Sequence, residues 1–267
     1  MINHISILND CLDSDARLRI ESQIKRLFPT VPFTFYGVPI FSTLSVSFLL
    51  HEGDFGEGDL VLFNAAPRKE ESVFVDNRSG ELVFLKLKSG AWAVGPNEGL
   101  SLALQADQLE KIYTDPEDRA NKEGTQFRSA YLFPKLAKIF LDADTEGFEQ
   151  HAPTDWSFPK FETMKIAWID SFGNLKLSST EDLELGKNYR LRISRNGKEL
   201  LSTDVPYRER LTNVGTGELA LTKGSSFGGQ GLELVYREAL PAQQTTTRYL
   251  RETFEVEVLP EDNVSIS

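Results

Sequence analysis

The chain has 267 residues and a formal charge of −11, from 29 Lys and Arg against 40 Asp and Glu. Its 18 Phe and 3 Trp supply apolar surface for a large core, which excludes a disordered chain. An acidic chain lacks the basic footprint that nucleic acids and anionic membranes require, so neither is expected as a partner.

One cysteine, Cys11, excludes a disulfide within the chain, and three widely spaced histidines predict no metal site. The first residues include acids where a signal peptide is basic and apolar. No apolar run reaches the roughly 18–20 residues of a membrane span. We therefore expect a cytoplasmic protein without a metal cofactor and without a membrane partner.

The first part of the chain alternates between apolar runs, which predict buried strands, and amphipathic stretches, which predict helices. The predicted strands are residues 5–8, 33–36 and 60–63, and the helices between them are residues 13–28 and 44–50. Either Ser14 or Asp15 is expected to cap the first helix. This order is typical of an α/β domain with a mainly parallel sheet.

Three further strands are predicted at residues 73–75, 82–87 and 91–94, and two helices at residues 100–109 and 132–141. The composition then changes to a stretch rich in Asp, Glu, Gly and Pro at residues 142–160, which is interpreted as a linker. The predicted domains are therefore residues 1–155, with α/β structure, and residues 156–267.

The second domain is predicted to be rich in β-structure. Its predicted strands are residues 165–169, 175–178, 189–193, 218–221, 232–235 and 254–258. Asn196 and Gly197 form the dipeptide that is typical of a two-residue hairpin turn.

Asp10 and Asp15 follow the first predicted strand, and Asn97 follows a later one. Ligands collect at the carboxyl ends of strands in α/β sheets, where an Asp can accept hydrogen bonds from ribose hydroxyls. Helix capping is the alternative explanation for the two aspartates, and a tight turn is the alternative for Asn97. No dinucleotide-binding or P-loop sequence accompanies these residues.

In the second domain, Asp170, Phe172 and Asn174 surround a turn that follows an apolar strand. Asp170 can meet an ammonium, Phe172 can stack on a base, and Asn174 can read a base edge. A hairpin turn explains the same residues without a ligand. Ser225 and Ser226 lie in a Gly/Ser loop that can present donors to a carboxylate or can serve only as a flexible hairpin.

In chain order, five motifs resemble the S-adenosyl-L-methionine (SAM) hydroxide adenosyltransferase family, which also contains SAM-dependent chlorinases and fluorinase. The family's Thr-Asp-Phe-Gly-x-x-Asp is similar to residues 9–15, and its Ile-Pro-Pro-Phe with the following helix is similar to residues 38–50. Its Gly-Pro-Asp-Asn-Gly-Leu is similar to residues 95–100. Its Val-Asp-x-Phe-Gly-Asn-Leu is similar to residues 169–175, and residues 217–235 resemble its final Gly-Glu-Leu-x-Leu to Leu-Glu-Ile-Ala segment.

The resemblance implies an α/β domain followed by a barrel-like β-domain. It also implies a homotrimer, with SAM held between the first domain of one subunit and the second domain of the next. SAM would be the substrate or ligand, without another cofactor. In the first domain, Asp10 would hold the ribose hydroxyls, and Asp15 and Asn97 occupy matched motif positions.

The resemblance gives the second domain the remaining contacts with SAM. Asp170 would bind the methionine ammonium, and Phe172 would offer the stacking face. Asn174 would read the adenine edge, and Ser225 or Ser226 would meet the methionine carboxylate.

The family's catalytic residues are not matched. Hydrolytic members use an Asp in an Asp-Pro-Gly-Val-Gly loop and a His in Phe-His-Gly-Arg-Asp. Ala66 occupies the Asp position, with Asp76 there in an alternative register, and Arg128 occupies the His position. Arg68 and Arg128 are the catalytic candidates that remain, and as permanent cations they can hold an anion but cannot accept a proton.

Two hypotheses follow from the sequence. The first is a divergent SAM hydrolase that forms adenosine and methionine. The second is a catalytically degenerate protein that binds an adenosyl compound or another small molecule.

Overall fold

The computed structural model describes residues 1–65, 80–117, 127–238 and 245–267. The chain divides into two compact units, Met1–Lys160 and Phe161–Ser267. The division lies after the end of the stretch that the composition marks as a linker. That stretch contributes a strand and a 3-10 turn to the first unit. The first unit therefore extends to Lys160, beyond the predicted domain boundary at residue 155.

The first unit contains seven strands and four helices among its described residues. The strands are β1 (His4–Asn9), β2 (Phe33–Gly37), β3 (Asp59–Asn64), β4 (Leu82–Leu87), β5 (Trp92–Pro96), β6 (Leu109–Thr114) and β7 (Glu149–His151). The helices are α1 (Ser14–Leu27), α2 (Thr43–Glu52), α3 (Arg128–Tyr131) and α4 (Phe133–Asp142). A 3-10 turn covers Pro153–Asp155.

These strands form one sheet in the order β2-β1-β3-β5-β4-β6-β7. The pairs among β2, β1, β3 and β5 are parallel, and the pairs from β5 through β4 and β6 to β7 are antiparallel. The prediction of a mainly parallel sheet was therefore wrong. The Ser89-Gly90 turn between β4 and β5 is too short for a parallel crossover, so it forces a hairpin.

The predicted helix at residues 100–109 was also wrong. Two hydroxyl groups of α2 accept hydrogen bonds from the backbone of this segment. Leu100 N donates to Thr43 Oγ1 at 2.9 Å, and Leu104 N donates to Ser47 Oγ at 3.0 Å. The segment forms turns, and Leu109 begins β6 instead. Tertiary hydrogen bonds have overridden the apolar periodicity.

Asp13, and neither Ser14 nor Asp15, caps α1. Its side chain accepts a hydrogen bond from Ala16 N at 2.8 Å. Asp15 instead pairs with Arg19 one helical turn away and has a 70% exposed side chain.

Replacing Asp13 with alanine is expected to lower the free energy of unfolding by about 1 kcal/mol, because the first turn loses its side-chain acceptor. Urea unfolding followed by circular dichroism measures the change. The matched control is Asp15→Ala, which removes only an exposed pair worth about 0.3–0.5 kcal/mol. An equal effect of both substitutions would contradict this assignment of the cap.

The second unit forms a closed barrel from seven described strands in the order β10-β11-β12-β13-β9-β8-β14. The strands are β8 (Met164–Ile169), β9 (Leu175–Leu177), β10 (Asn188–Arg195), β11 (Lys198–Arg210), β12 (Leu219–Lys223), β13 (Leu232–Tyr236) and β14 (Asn263–Ile266). Short helical turns cover Leu211–Asn213 and α5 (Ser226–Gly229), and a longer helix is α6 (Thr245–Phe254).

The barrel confirms the β-rich second part that the sequence predicts, and Asn196 and Gly197 both have positive φ in the hairpin between β10 and β11. The predicted strand at residues 254–258 was wrong. Phe254 ends α6, and Glu255 then has a φ of 57°, outside the range that a strand allows. None of the helices in the described part of the chain is long and apolar enough to cross a membrane.

Candidate functional site

Three parallel strands of the first unit end at the same edge of the sheet. Asp10 follows β1, Asn64 ends β3, and Asn97 follows β5. All three are at least nine-tenths buried. This edge, defined here by Asp10, Asn64, Asn97 and the neighbouring Glu98, is called the carboxyl edge, and it is where open α/β sheets usually bind ligands.

Asp10 is fixed by Phe41, by Asn64 and by its neighbour Cys11, whose Sγ donates a weak hydrogen bond to Oδ1 at 3.7 Å. One carboxylate oxygen, Oδ2, accepts a hydrogen bond from Phe41 N at 3.2 Å, and the other, Oδ1, accepts one from Asn64 Nδ2 at 3.4 Å. Its backbone N–H donates to Asn64 O at 3.2 Å, which extends the β1–β3 ladder by one step. An ionised carboxylate has about four acceptor sites, so Asp10 retains capacity for further donors such as hydroxyls.

Phe41 has a left-handed backbone with a φ of 65°. Such a conformation is uncommon for an aromatic residue and persists where the surroundings hold it. Here it accompanies the hydrogen bond from the Phe41 amide to Asp10.

Glu98 adds a second acidic group to the carboxyl edge. Its carboxylate lies 3.8 Å from the Arg128 guanidinium, and its side chain is only 18% exposed. Burial raises the pKa of Glu98 above its usual value; the charge of Arg128 acts against this shift, and the charge of Asp10 adds to it. The structure therefore brings the sequence candidates Asp10 and Arg128 into one electrostatic cluster, with Glu98 between them.

Asn97, which follows β5, is 9% exposed. Its backbone exchanges hydrogen bonds with Gly80 and Glu81, but its side chain makes no hydrogen bond to any of the described residues. Because no described residue occupies this amide, it can make a polar contact with a ligand at the carboxyl edge. Asp15, by contrast, is exposed in the first turn of α1 and is paired with Arg19, which accounts for it structurally.

Large apolar side chains are exposed beside the same edge. Leu12 is 50% exposed, Ile40 is 64% exposed and Phe41 is 45% exposed. Leu12 follows β1 closely, whereas Ile40 and Phe41 lie in the loop after β2. A group of exposed apolar side chains around buried polar groups is typical of a surface that a ligand or another subunit covers.

In the second unit, Asp170 is engaged by its own turn. Oδ1 accepts hydrogen bonds from Phe172 N and Asn174 N, both at 2.9 Å, and Oδ2 accepts one from Asn174 Nδ2 at 3.3 Å. Gly173 has a φ of 77° in the same turn. These contacts are those of a hairpin turn, so they support the structural interpretation of Asp170.

Asp170 also lines a pocket of about 270 Å³ together with Arg248 and Arg251. The lining of this pocket also includes Glu257, so two guanidinium groups and two carboxylates surround it. The contact between Asp170 and a methionine ammonium stays a prediction from the resemblance.

Phe172 and Asn174 line a different pocket, of about 360 Å³, together with Leu211 and Tyr236. The Phe172 ring is 55% exposed and is free to stack on a flat group. A hydrogen bond fixes the side chain of Asn174, because its Oδ1 accepts one from Thr246 Oγ1 at 2.8 Å. The structure thus brings Phe172 and Asn174 together on one apolar pocket.

The structure does not bring Ser225 and Ser226 to this pocket. Their loop joins β12 to β13 beyond the Lys223–Leu232 pair, whereas Asn174 lies beside the other end of β13. The length of β13 separates the two places by roughly 13 Å at 3.3 Å per residue. Ser226 is 2% exposed and its Oγ has no hydrogen-bond partner among the described residues, while Ser225 is exposed.

Some catalytic predictions fall outside the described residues. Arg68, Ala66 and Asp76 all lie between residues 66 and 79, as does the predicted strand at 73–75. Of the two catalytic candidates, only Arg128 has a described position.

Sequence reasoning missed Asn64 and Glu98 as members of the site. Asn64 ends an apolar strand in the same manner as Asn9 before Asp10, which is the signal that could have found it. Glu98 lies inside a motif that had been singled out for its turn and its Asn97. Its closeness to Asp10 depends on the strand order, which the sequence alone does not give.

Two solved structures share the fold of the chain. An uncharacterized conserved protein from Thermotoga maritima is 18% identical, with 98% of this chain and 100% of that chain covered and a TM-score of 0.65. A conserved hypothetical protein from Thermus thermophilus is 14% identical, with 100% of both chains covered and a TM-score of 0.57. No protein-family model and no curated protein matches the chain. At these identities the likeness establishes the two-part fold alone.

Proposed function

We propose that the protein binds SAM and hydrolyses it at C5′ of the ribose, giving adenosine and methionine. The observation that carries this proposal is the position of Asp10, a buried carboxylate with free acceptor capacity at the carboxyl end of β1. Ribose hydroxyls are the donors that a carboxylate commonly receives at such a position. The resemblance of the sequence motifs to the SAM hydroxide adenosyltransferase family supports the same ligand.

The charges at the carboxyl edge suit a sulfonium compound. Asp10, Glu98 and Arg128 together carry one net negative charge when both carboxylates are ionised. A partly buried site of this charge favours a ligand with a single local positive charge, because screening by water is weak there. The open amide of Asn97 offers one more polar contact to the adenosyl group.

The adenine is assigned to the pocket of Phe172 and Asn174 in a second subunit of a homotrimer. An exposed ring beside an amide is a common arrangement for a flat heterocycle, with stacking for affinity and hydrogen bonds for selectivity. The exposed Leu12, Ile40 and Phe41 are then covered by that subunit. Light scattering is expected to give three times the 30.0 kDa mass of the chain, and a monomer would contradict this part of the proposal.

Mixed subunits test the shared site directly. Asp10→Ala damages the part in the first unit, and Asn174→Ala damages the part in the second. If each site draws on two subunits, trimers assembled from both variants contain some intact sites, and activity reappears on mixing. Mixing that restores no activity, when each variant alone is folded and trimeric, would mean that both residues of a site belong to one chain.

Two measurements on the purified full chain test the ligand and the reaction. Calorimetric titration with SAM is expected to show binding, and chromatography after incubation is expected to show adenosine above the uncatalysed background. Binding of SAM without formation of adenosine would contradict the hydrolase activity and support the second candidate function, binding without turnover. Absence of binding would contradict both.

The second candidate function is binding without turnover. It is favoured by one observation, the arginine at position 128 where hydrolytic members of the resembling family have a histidine. A guanidinium cannot take a proton from water. Under this alternative the carboxyl edge holds adenosine or a related compound as a ligand only.

A further inference from the structure

The proposed hydrolysis requires a group that removes a proton from the attacking water. This inference rests on the proposed function and concerns the same site. Arg128 cannot accept a proton, and Asp10 already accepts hydrogen bonds from Phe41 and Asn64 and is assigned to the ribose. Of the two carboxylates that define the carboxyl edge, Glu98 remains, and its carboxylate lies 3.8 Å from the Arg128 guanidinium. Glu81, before β4, and Asp115, after β6, lie at the same end of the sheet.

The backbone that carries Glu98 is held firmly. Glu98 N donates to Ser101 Oγ at 3.2 Å, and Ser101 Oγ donates to Pro96 O at 3.0 Å. Gly99 has a φ of 53°, and Thr43 of α2 lies where a side chain at this position would project. The turn is therefore anchored both to its own strand and to α2, which is the support that a positioned catalytic group needs.

The surroundings of Glu98 suit proton transfer. Among the residues that the structure describes, those facing its carboxylate include Arg128 on α3 at 3.8 Å, Asp10 after β1, and the backbone of Gly80. The side chain is mostly buried, and the ion pair with Arg128, at 3.8 Å, offsets the cost of burying its charge only in part. A carboxylate in such a place holds a proton more strongly than one in water, which makes it a better base.

We propose that Glu98 is the proton acceptor for the attacking water, with Arg128 as the positioning residue that holds its carboxylate. The water oxygen forms a bond to C5′, and the bond between C5′ and sulfur breaks with its electron pair moving to sulfur. The sulfonium becomes the neutral thioether of methionine. The water proton passes to the Glu98 carboxylate and then to solvent, so atoms and charge balance without an oxidant or a reductant.

The test compares turnover and binding in the full chain for three variants. Glu98→Gln keeps the size of the side chain but removes the base, so kcat for adenosine formation is expected to fall about 10²–10⁴-fold. Loss of its negative charge is expected to weaken SAM binding in calorimetry by a much smaller factor. Glu98→Ala is expected to lose the same activity and to regain part of it when formate is added as a replacement base. Glu110→Gln, an exposed position on β6, removes one negative charge elsewhere and is expected to retain wild-type turnover.

The pH profile separates a base from a structural residue. Glu98 is active only when deprotonated, so kcat of the wild type is expected to rise as pH passes its pKa, which burial places above the usual value for glutamate. This rising limb is expected to disappear in Glu98→Gln.

The outcomes distinguish the role of Glu98 from the proposed hydrolysis of SAM. Wild-type turnover that Glu98→Gln leaves intact, or a rising limb that survives the substitution, overturns the role of Glu98 alone. Absence of adenosine from the wild type overturns the hydrolase and the base together.

Discussion

Replacing Asp10 with alanine is expected to weaken SAM binding about 10²-fold. Two ribose hydroxyls donate to this carboxylate in the proposed complex, and a hydrogen bond to a charged group contributes about 1.5–3 kcal/mol. A loss of about 3 kcal/mol in total corresponds to that change in affinity. Calorimetric titration of the variant with SAM measures it.

Two further variants show whether the loss is specific to the carboxylate. Asp10→Asn keeps the shape and one acceptor, so it is expected to fall between the wild type and alanine. Asp107→Ala removes an exposed carboxylate of the same unit and is expected to bind as the wild type does. Because Asp10 also accepts hydrogen bonds from Phe41 and Asn64, circular dichroism must first show that each variant is folded. Unchanged affinity in a folded Asp10→Ala protein would contradict the assigned site.

Replacing Phe140 with alanine is expected to lower the free energy of unfolding of the first unit by about 3–5 kcal/mol. Phe140 of α4 is 1% exposed and contacts four aromatic rings, with centroid distances of 4.5 Å to Phe84, 4.8 Å to Phe148, 5.0 Å to Trp92 and 5.4 Å to Tyr113. Its removal leaves a cavity that the neighbouring side chains can fill only in part. Chemical denaturation measures the loss.

Two control substitutions accompany Phe140→Ala. Phe140→Leu keeps most of the buried volume and is expected to be much less destabilising than alanine. Leu18→Ala changes a side chain on α1 that is 64% exposed and is expected to leave stability nearly unchanged. A small effect of Phe140→Ala, close to that of Leu18→Ala, would mean that α4 does not pack on the sheet as described.

The strands were predictable from the sequence where apolar residues form short runs between turns. β1, β3 and β5 are examples, since nearly every residue in them is buried and each run is too short for a typical helix. The direction of β4 was not predicted, although the Ser89-Gly90 turn contained the information. The turns at residues 101–104 could not be predicted, because they depend on hydroxyls of Thr43 and Ser47 that are far away in the sequence.

The candidate site was predictable in the same limited manner. Asp10 could be found because it follows a buried strand, a local property. The role proposed for Glu98 needed the order β1-β3-β5, which brings the ends of three separate strands to one edge. In the second unit, the motif around Asp170 predicts a functional turn and a structural turn equally well, and only the hydrogen bonds within the turn favour the structural one.

Hydrolysis of SAM by the full chain in heavy-oxygen water tests the central claim most directly. If water attacks C5′ of a SAM molecule held at the carboxyl edge, mass spectrometry will find the heavy oxygen in adenosine and none in methionine, and Asp10→Ala will strongly reduce the yield at limiting SAM. Absence of adenosine, or adenosine without the heavy oxygen, would contradict the claim.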